Sequence, residues 1–392
     1  MWLPVPSIPE SQSMRVLVLG AGLQGSACAF DLLQNPAVQR VRLADKTVGA
    51  LAPFLAGLAD PRLDTLALDF ADRDAVRAVM GTVDAVACAA PYYFNFDLAA
   101  LAVEAGVHFA DLGGNTEIVF SQFTLADQAK AKGVSILPDC GLAPGMVNTF
   151  AEHGIRQLDT VHRVRMFVGG LPQHPEPPLN YQIVYSLEGA LDYYTTPSWI
   201  VRNGARTTVT ALTEIEPVAI DGVGSLEAFH TAGGLSTMAF RYEGKIAEME
   251  YKTLRYPGHA ELMAAMRALG LLSLEPLDVK GQRVVPRDVF VAAVSPHLRK
   301  PGRPDLVAAR VLVEGTKSGA PARRQWDIVD RADEARGISA MMRCTGFTLS
   351  IVVQLQAGGQ VAPGVHTMDT GVPADPYIAA LGARGISVRA TT

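Results

Sequence analysis

The stretch from Met14 to Asp45 constrains the fold more than any other: a short apolar run, a glycine turn, a helix-like segment and a second apolar run ending in an acid. Val16-Leu17-Val18-Leu19 reads as a buried parallel strand, and Gly20-Ala21-Gly22-Leu23-Gln24-Gly25 follows it as G-x-G-x-x-G. Each glycine has its own task in such a turn. Gly20 makes the tight bend, Gly22 lets the backbone approach a pyrophosphate, and Gly25 lets the helix pack closely on the strand. The pyrophosphate sits at the helix N-terminus, beside Leu23 and Gln24, where unpaired N–H groups and the positive end of the helix dipole meet it.

Glycine is common here, at 36 of 392 residues, so the flanks of the motif carry the argument. Ser26 to Leu33 continues as a helix, Asn35-Pro36 ends it, and Val38 to Leu43 gives a second strand with Asp45 past its end. A carboxylate about 20 residues beyond the glycines accepts hydrogen bonds from an adenosine ribose and repels a 2′-phosphate. The expected cofactor is therefore NAD rather than NADP, an expectation tempered by Lys46 next to the acid.

Strand and helix keep alternating after Asp45, which builds a parallel sheet by right-handed crossovers. Leu66 to Asp69 is a third strand, Asp72 caps a helix over Arg73 to Met80, and Asp84 to Ala90 is a fourth strand. Ligands bind at the carboxyl ends of such strands. This places Asp69 near the adenine, Ala89-Ala90-Pro91 along the dinucleotide and Tyr92 just beyond. A helix over Asp97 to Ala105, a strand over Val107 to Ala110, a helix over Phe120 to Lys132 and a strand over Val134 to Leu137 complete a six-stranded nucleotide domain. The loop after Asp111 is rich in glycine, and Pro138 to Met146 follows the last strand, with Leu142-Ala143-Pro144 expected against the nicotinamide.

From about residue 160 the pattern changes to period-2 runs, Val161 to Val168, Ile246 to Tyr251, Leu306 to Val313 and Arg324 to Val329. Such alternation marks a largely antiparallel open sheet with helices on one face, here over Gly189 to Tyr194, Ala260 to Leu269 and Pro286 to Leu298. The tail from Thr345 to Gln356 is too apolar for a solvent-facing helix, and a second tail helix is expected over Asp375 to Leu381. Residues 1–13 read as a disordered leader, 14–145 as a Rossmann nucleotide domain, 146–340 as an α/β substrate domain and 341–392 as a segment returning to the nucleotide domain.

Composition narrows the partners. A net charge of −5 without a long Lys/Arg run gives no footing for nucleic acid or acidic membranes, and no apolar stretch reaches the roughly 18 residues of a membrane span. Four scattered cysteines, with no C-x-x-C, argue against zinc or a disulfide framework and fit a reducing cytoplasm. The default partner is a small molecule; the expected assembly is a homo-oligomer.

The motifs Gly20 to Gly25, Pro91-Tyr92-Tyr93-Phe94-Asn95, Leu142-Ala143-Pro144-Gly145 and Lys252 to His259 together resemble the saccharopine dehydrogenase-like superfamily, and within it the bacterial L-lysine 6-dehydrogenases. The resemblance runs from residue 14 to about 390 and includes Ser186-Leu187-Glu188-Gly189 and Phe229 to Gly234. It implies a Rossmann domain, an α/β substrate domain, NAD, and oxidation of the ε-amine of lysine to allysine, which cyclises to a piperideine carboxylate. Saccharopine-forming members carry an arginine where this chain has Glu188, and Asn-Arg where it has Gly233-Gly234. Arginine forks are the natural clasp for a tricarboxylate, so their loss points to a substrate with one carboxylate and two amines.

Oxidation of an amine requires it to be neutral, and the resulting imine must be opened by water, so an acid–base group is sought. His230 has a suitable ring pKa and lies in the family motif, against a plain alternative as a capping histidine. Asp111 at a strand end and Glu188 at a helix start are the carboxylate candidates, though Asp111 can equally tie its own turn and Glu188 can serve only the helix dipole. Arg255 is the candidate for the substrate carboxylate, with Lys252, Tyr92, Gly233 and Gly234 around it. Two other readings stay open: an NADP-dependent reductase that condenses an amine with a keto or aldehyde acid, and an NAD-binding sensor without turnover.

Overall fold

The computed structural model describes residues 13–392; the expected disordered leader lies, but for its last residue, outside them. The first unit alternates as its apolar runs dictate: β1 (Met14–Leu19), α1 (Leu23–Leu33), β2 (Val38–Asp45), α2 (Pro53–Ala56), β3 (Leu63–Ala67), α3 (Arg73–Met80), β4 (Ala85–Cys88), α4 (Asn95–Ala105), β5 (His108–Asp111), α5 (Thr116–Phe123), α6 (Ala126–Lys132) and β6 (Ser135–Leu137). Its strands pair in parallel in the order β6-β5-β4-β1-β2-β3, the doubly wound arrangement of a Rossmann fold. Asp72 caps α3 by accepting from the Ala75 amide at 3.1 Å. The helix expected over Phe120 to Lys132 is two helices, because the chain turns at Thr124 and Leu125.

From α7 (Met146–Gln157) the chain enters a second sheet through β7 (Thr160–Pro172). There follow α8 (Leu187–Thr195), β8 (Ser198–Arg202), β9 (Ala205–Val209), β10 (Glu216–Ile220), β11 (Gly224–His230), α9 (Met238–Arg241), β12 (Glu248–Arg255), α10 (His259–Ala268), the ribbon β13 (Leu277–Val279) and β14 (Gln282–Val284), α11 (Pro286–Leu298), β15 (Asp305–Lys317) and β16 (Ala320–Arg331). The sheet is mixed rather than wholly antiparallel, since β12 and β7 run parallel at its centre. It curls far enough for Arg310 of β15 to donate to the Ala219 carbonyl of β10 at 3.1 Å.

The tail comprises α12 (Ala340–Ala357), β17 (Gly364–Val365), α13 (Met368–Gly371), α14 (Ala374–Ala383) and β18 (Val388–Thr391). Apolar and buried along almost its whole length, α12 packs on α1, where Gly346 brings it so close that a Cβ would lie 2.7 Å from the Gln24 carbonyl. β17 extends the parallel sheet beside β6, whereas β18 pairs with β16 in the second sheet. One hydrophobic core runs through the facing sides of both sheets and α12. No helix among the described residues is long and apolar enough to cross a membrane.

Candidate active site

The three glycines of the first turn separate by what each would meet with a side chain. Gly20 has φ +99° and a Cβ there would lie 2.7 Å from the Ala89 carbonyl; a Cβ on Gly25 would lie 1.8 Å from the Gly20 carbonyl. Both are demanded by the protein's own packing. A Cβ on Gly22 would meet no protein atom within 4 Å, so that glycine leaves room for something outside the chain. With α1 starting at the exposed Leu23 and no side chain capping it, the arrangement fits a dinucleotide pyrophosphate. Asp45 accepts from the Ala21 amide at 2.8 Å, which fixes its carboxylate beside the glycine turn. Lys46 pairs with Asp69 at 2.9 Å on the exposed rim, and Ala90 and Pro91 lead from β4 towards Tyr92.

Between the carboxyl ends of the parallel strands and the second sheet lies a cavity of about 330 Å³. The nucleotide side contributes Gln24, Tyr92, Gly113, Gly114 and the Leu142-Ala143-Pro144 run. Tyr185, Tyr193, Tyr251, Thr231, Thr253 and Arg255 come from the second unit, and Thr345 from α12. Burial raises the Tyr193 and Tyr251 phenols to about 12, so both stay protonated donors. Thr231 and Thr253 hydroxyls meet at 2.7 Å across β12. The Gln24 side-chain oxygen is buried without a partner.

Arg255 is the sole charged residue in this lining, and it is 2% exposed. Its Nη1 donates to the Leu254 carbonyl at 2.9 Å, its guanidinium lies 4.9 Å from the Tyr181 ring centre, and its Nε has no partner. Among the described residues no carboxylate pairs with it. A buried guanidinium left in this state is incomplete without an anion.

Several expected site residues stand elsewhere. Along β12, Tyr251, Thr253 and Arg255 share the cavity face, so Glu250 and Lys252 must face the other way. His230, directly opposite Lys252 in the register, goes with it. There the His230 Nε2 lies 3.2 Å from Glu214 and 3.7 Å from Glu250, whose carboxylates are engaged by Arg202 and Arg165, while Lys252 donates to Glu216. Burial, with Lys252 nearby, lowers the His230 pKa despite the two acids. This charged cluster holds the inside of the curled sheet together and does not reach the cavity. Glu188 is exposed in the first turn of α8, where it complements the helix dipole, although its neighbours Ser186 and Gly189 line the cavity.

Asp111 is fully buried, accepts from the Gly113 amide and from Gln122, both at 2.7 Å, and so braces its own turn beneath the cavity wall. Gly233 and Gly234 back the wall: a Cβ on Gly233 would lie 3.0 Å from the Tyr193 ring, and one on Gly234 2.2 Å from that of Tyr251. Sequence reasoning missed Tyr185, Tyr193, Tyr251, Thr231 and Thr253. The parity of β12 held a signal for two of them, since any residue an even number of places from Arg255 shares its face.

Two family models match the chain: the saccharopine dehydrogenase NADP binding domain over residues 16–137 and the saccharopine dehydrogenase C-terminal domain over residues 141–386. Carboxyaminopropylagmatine dehydrogenase of Synechocystis sp. is 22% identical over 408 residues, which span 95% of this chain and 96% of the relative. Apo histidine-tagged saccharopine dehydrogenase (L-Glu forming) from Saccharomyces cerevisiae has the same fold, with a TM-score of 0.79 at 19% identity over 97% of this chain and 99% of that one.

Proposed function

Since the chain belongs to the saccharopine dehydrogenase family and is an NAD(P)-dependent oxidoreductase, we propose that it oxidises the ε-amine of L-lysine to allysine, releasing ammonia, with NAD as the acceptor. The observation that carries the reading is Arg255: one buried guanidinium with no acid partner and a free Nε, as the lone charge in a tyrosine-lined cavity, calls for one carboxylate. A guanidinium fork binds a carboxylate at two points, and the Thr231 and Thr253 hydroxyls stand on the same wall. A tricarboxylate such as saccharopine would leave two carboxylates without a cation.

The same lining explains how an amine could become neutral once bound. Burial among tyrosine and threonine side chains disfavours an ammonium and lowers its pKa, so the amine gives up its proton there more readily than in water. The tyrosine faces supply apolar contact for the methylene chain, and their hydroxyls supply polar ends. The glycine turn and Asp45 would hold the dinucleotide, and Leu142 to Pro144 its reactive end. The dinucleotide, when bound, supplies the hydride acceptor. NAD over NADP rests on Asp45 being fixed beside the glycine turn, where a carboxylate would repel a 2′-phosphate, and on Lys46 being paired with Asp69.

The test is NADH formation on a panel of free amino acids at alkaline pH, followed by product analysis with lysine labelled with 15N at one position. A cyclic imine that retains the α-nitrogen supports the reading; comparable rates with saccharopine refute it. A second reading, a dehydrogenase of a secondary amine joining a carboxyaminopropyl group to another amine, is favoured by the name of the Synechocystis relative. The same panel, with carboxyaminopropyl amines added, separates the two.

A further inference from the structure

We propose that Asp139 is the group that takes the proton from the substrate ammonium; the inference rests on the amine-oxidation reading above. Asp139 follows β6 within the Pro138 to Met146 stretch that supplies Gly141 to Pro144 to the cavity wall. Its backbone is left-handed, at φ +63°, a conformation aspartate tolerates better than most residues. One carboxylate oxygen accepts from the Ser236 hydroxyl, which belongs to the loop that follows Gly233-Gly234 in the second unit. The other packs on Gly113: a Cβ there would lie 2.0 Å from it, and Gly113 itself lines the cavity. Gly113 therefore lies between this carboxyl and the cavity, and both its left-handed backbone and the carboxyl against it leave no room for a side chain there.

Among the described residues no cation pairs with Asp139. Asp111 at the end of β5, Asp369 of α13, the adjacent Cys140 and the Tyr193 phenol of α8 all lie within electrostatic reach of it. The guanidinium of Arg241 is committed to Asp369 and Glu152. Burial, together with the two neighbouring acids, pushes Asp139 up to about 8 despite the Ser236 bond, so the carboxyl can both hold and release a proton near neutrality. Arg255 thus lines the cavity without an acid, and Asp139 stands behind its Gly113 wall without a cation. A ligand carrying both a carboxylate and an ammonium satisfies each.

The proton balance is closed. Asp139 carboxylate takes one proton from R–CH₂–NH₃⁺, giving the neutral amine and the carboxylic acid. With the dinucleotide bound as hydride acceptor, the C–H bond would break with its hydrogen and electron pair leaving as hydride, and water would open the resulting iminium to the aldehyde and ammonium. The proton held by Asp139 is the one released to solvent, so lysine, NAD⁺ and water yield allysine, ammonium, NADH and H⁺.

Asp139→Asn keeps the shape, the left-handed backbone and an acceptor for Ser236, and removes only the proton chemistry. The expected result is at least a hundredfold fall in kcat, the lower end of what a positioned acid–base group contributes, with unchanged NAD affinity and thermal midpoint. In the wild type kcat should rise with pH along one limb near 8. Ser236→Ala, which removes a hydrogen bond that favours the ionised form, should move that limb to higher pH. An Asp139→Asn enzyme within fivefold of wild type with the same limb overturns the assignment, and so does a Ser236→Ala limb that does not move. Absence of NADH formation on every amine in the wild type overturns the functional reading instead, which keeps the two failures distinguishable.

Discussion

At the scale of single residues, the site is defined by groups whose cost to the fold has no explanation within the fold. Arg255 is a buried charge without an acid, and Gly22 is a glycine that no protein atom requires. Replacing Arg255 with Met should leave the ligand-free thermal midpoint unchanged or raised, because an unpaired buried charge is removed. Loss of two charge-assisted hydrogen bonds, about 1.5 kcal/mol or more each, should raise the KM for lysine about a hundredfold or more. Steady-state kinetics alongside a melting curve decide it; a fall in stability with KM unchanged would make Arg255 a structural residue. Asp45→Asn keeps an acceptor for the Ala21 amide and discards the charge. Its expected outcome is at least a tenfold loss of preference for NAD over NADP, measured as the ratio of kcat/KM values. Equal efficiency with both cofactors in the unmutated protein would remove the basis for the NAD assignment.

At the scale of elements, the helix pair α1 and α12 couples the tail to the dinucleotide turn. Gly346 permits the approach: besides the Gln24 carbonyl, a Cβ there would lie 2.8 Å from the Ala27 Cβ. Asp31 of α1 is held by Arg384, with Nε at 2.7 Å, and by the Ser350 hydroxyl at 2.7 Å, all of them buried. Gly346→Val overpacks this seam and should cost about 1–3 kcal/mol. Because the clash falls on the first turn of α1, NAD affinity should fall with it. Gly382→Ala in α14, where a Cβ meets nothing within 4 Å, should instead stabilise by up to about 1 kcal/mol. Urea midpoints of the two variants compare them directly, and a Gly346→Val protein as stable as wild type would show that the helices have slack.

At the scale of the molecule, the tail contributes a strand to each sheet and the helix that fills the space between them. Truncation after Arg336 should leave insoluble or unfolded protein, and a soluble truncate with normal NAD affinity would show the tail to be peripheral. What the sequence determined by itself was local. The Gly20 to Gly25 turn, the Asp72 cap and the alternation of strand and helix depend on residues a few positions apart, so their physics is complete within a short window. The alternation along β12 was legible too, and it already excluded one pairing: Arg255 and Lys252 are three places apart, so a period of two sets them on opposite faces. Which face meets the dinucleotide is a long-range matter. It was decided by the parallel pairing of β12 with β7, by α12 covering one side and by the curl of the sheet enclosing the other. Hence His230 and Lys252, attractive as titratable residues in a motif, were drawn into an ion cluster, while Tyr185, Tyr193 and Tyr251 gathered round Arg255 from α8, its leading loop and β12. Asp139 acquires its environment in the same way, since Ser236, Asp369 and Gly113 reach it from three distant parts of the chain and no local pattern records their meeting.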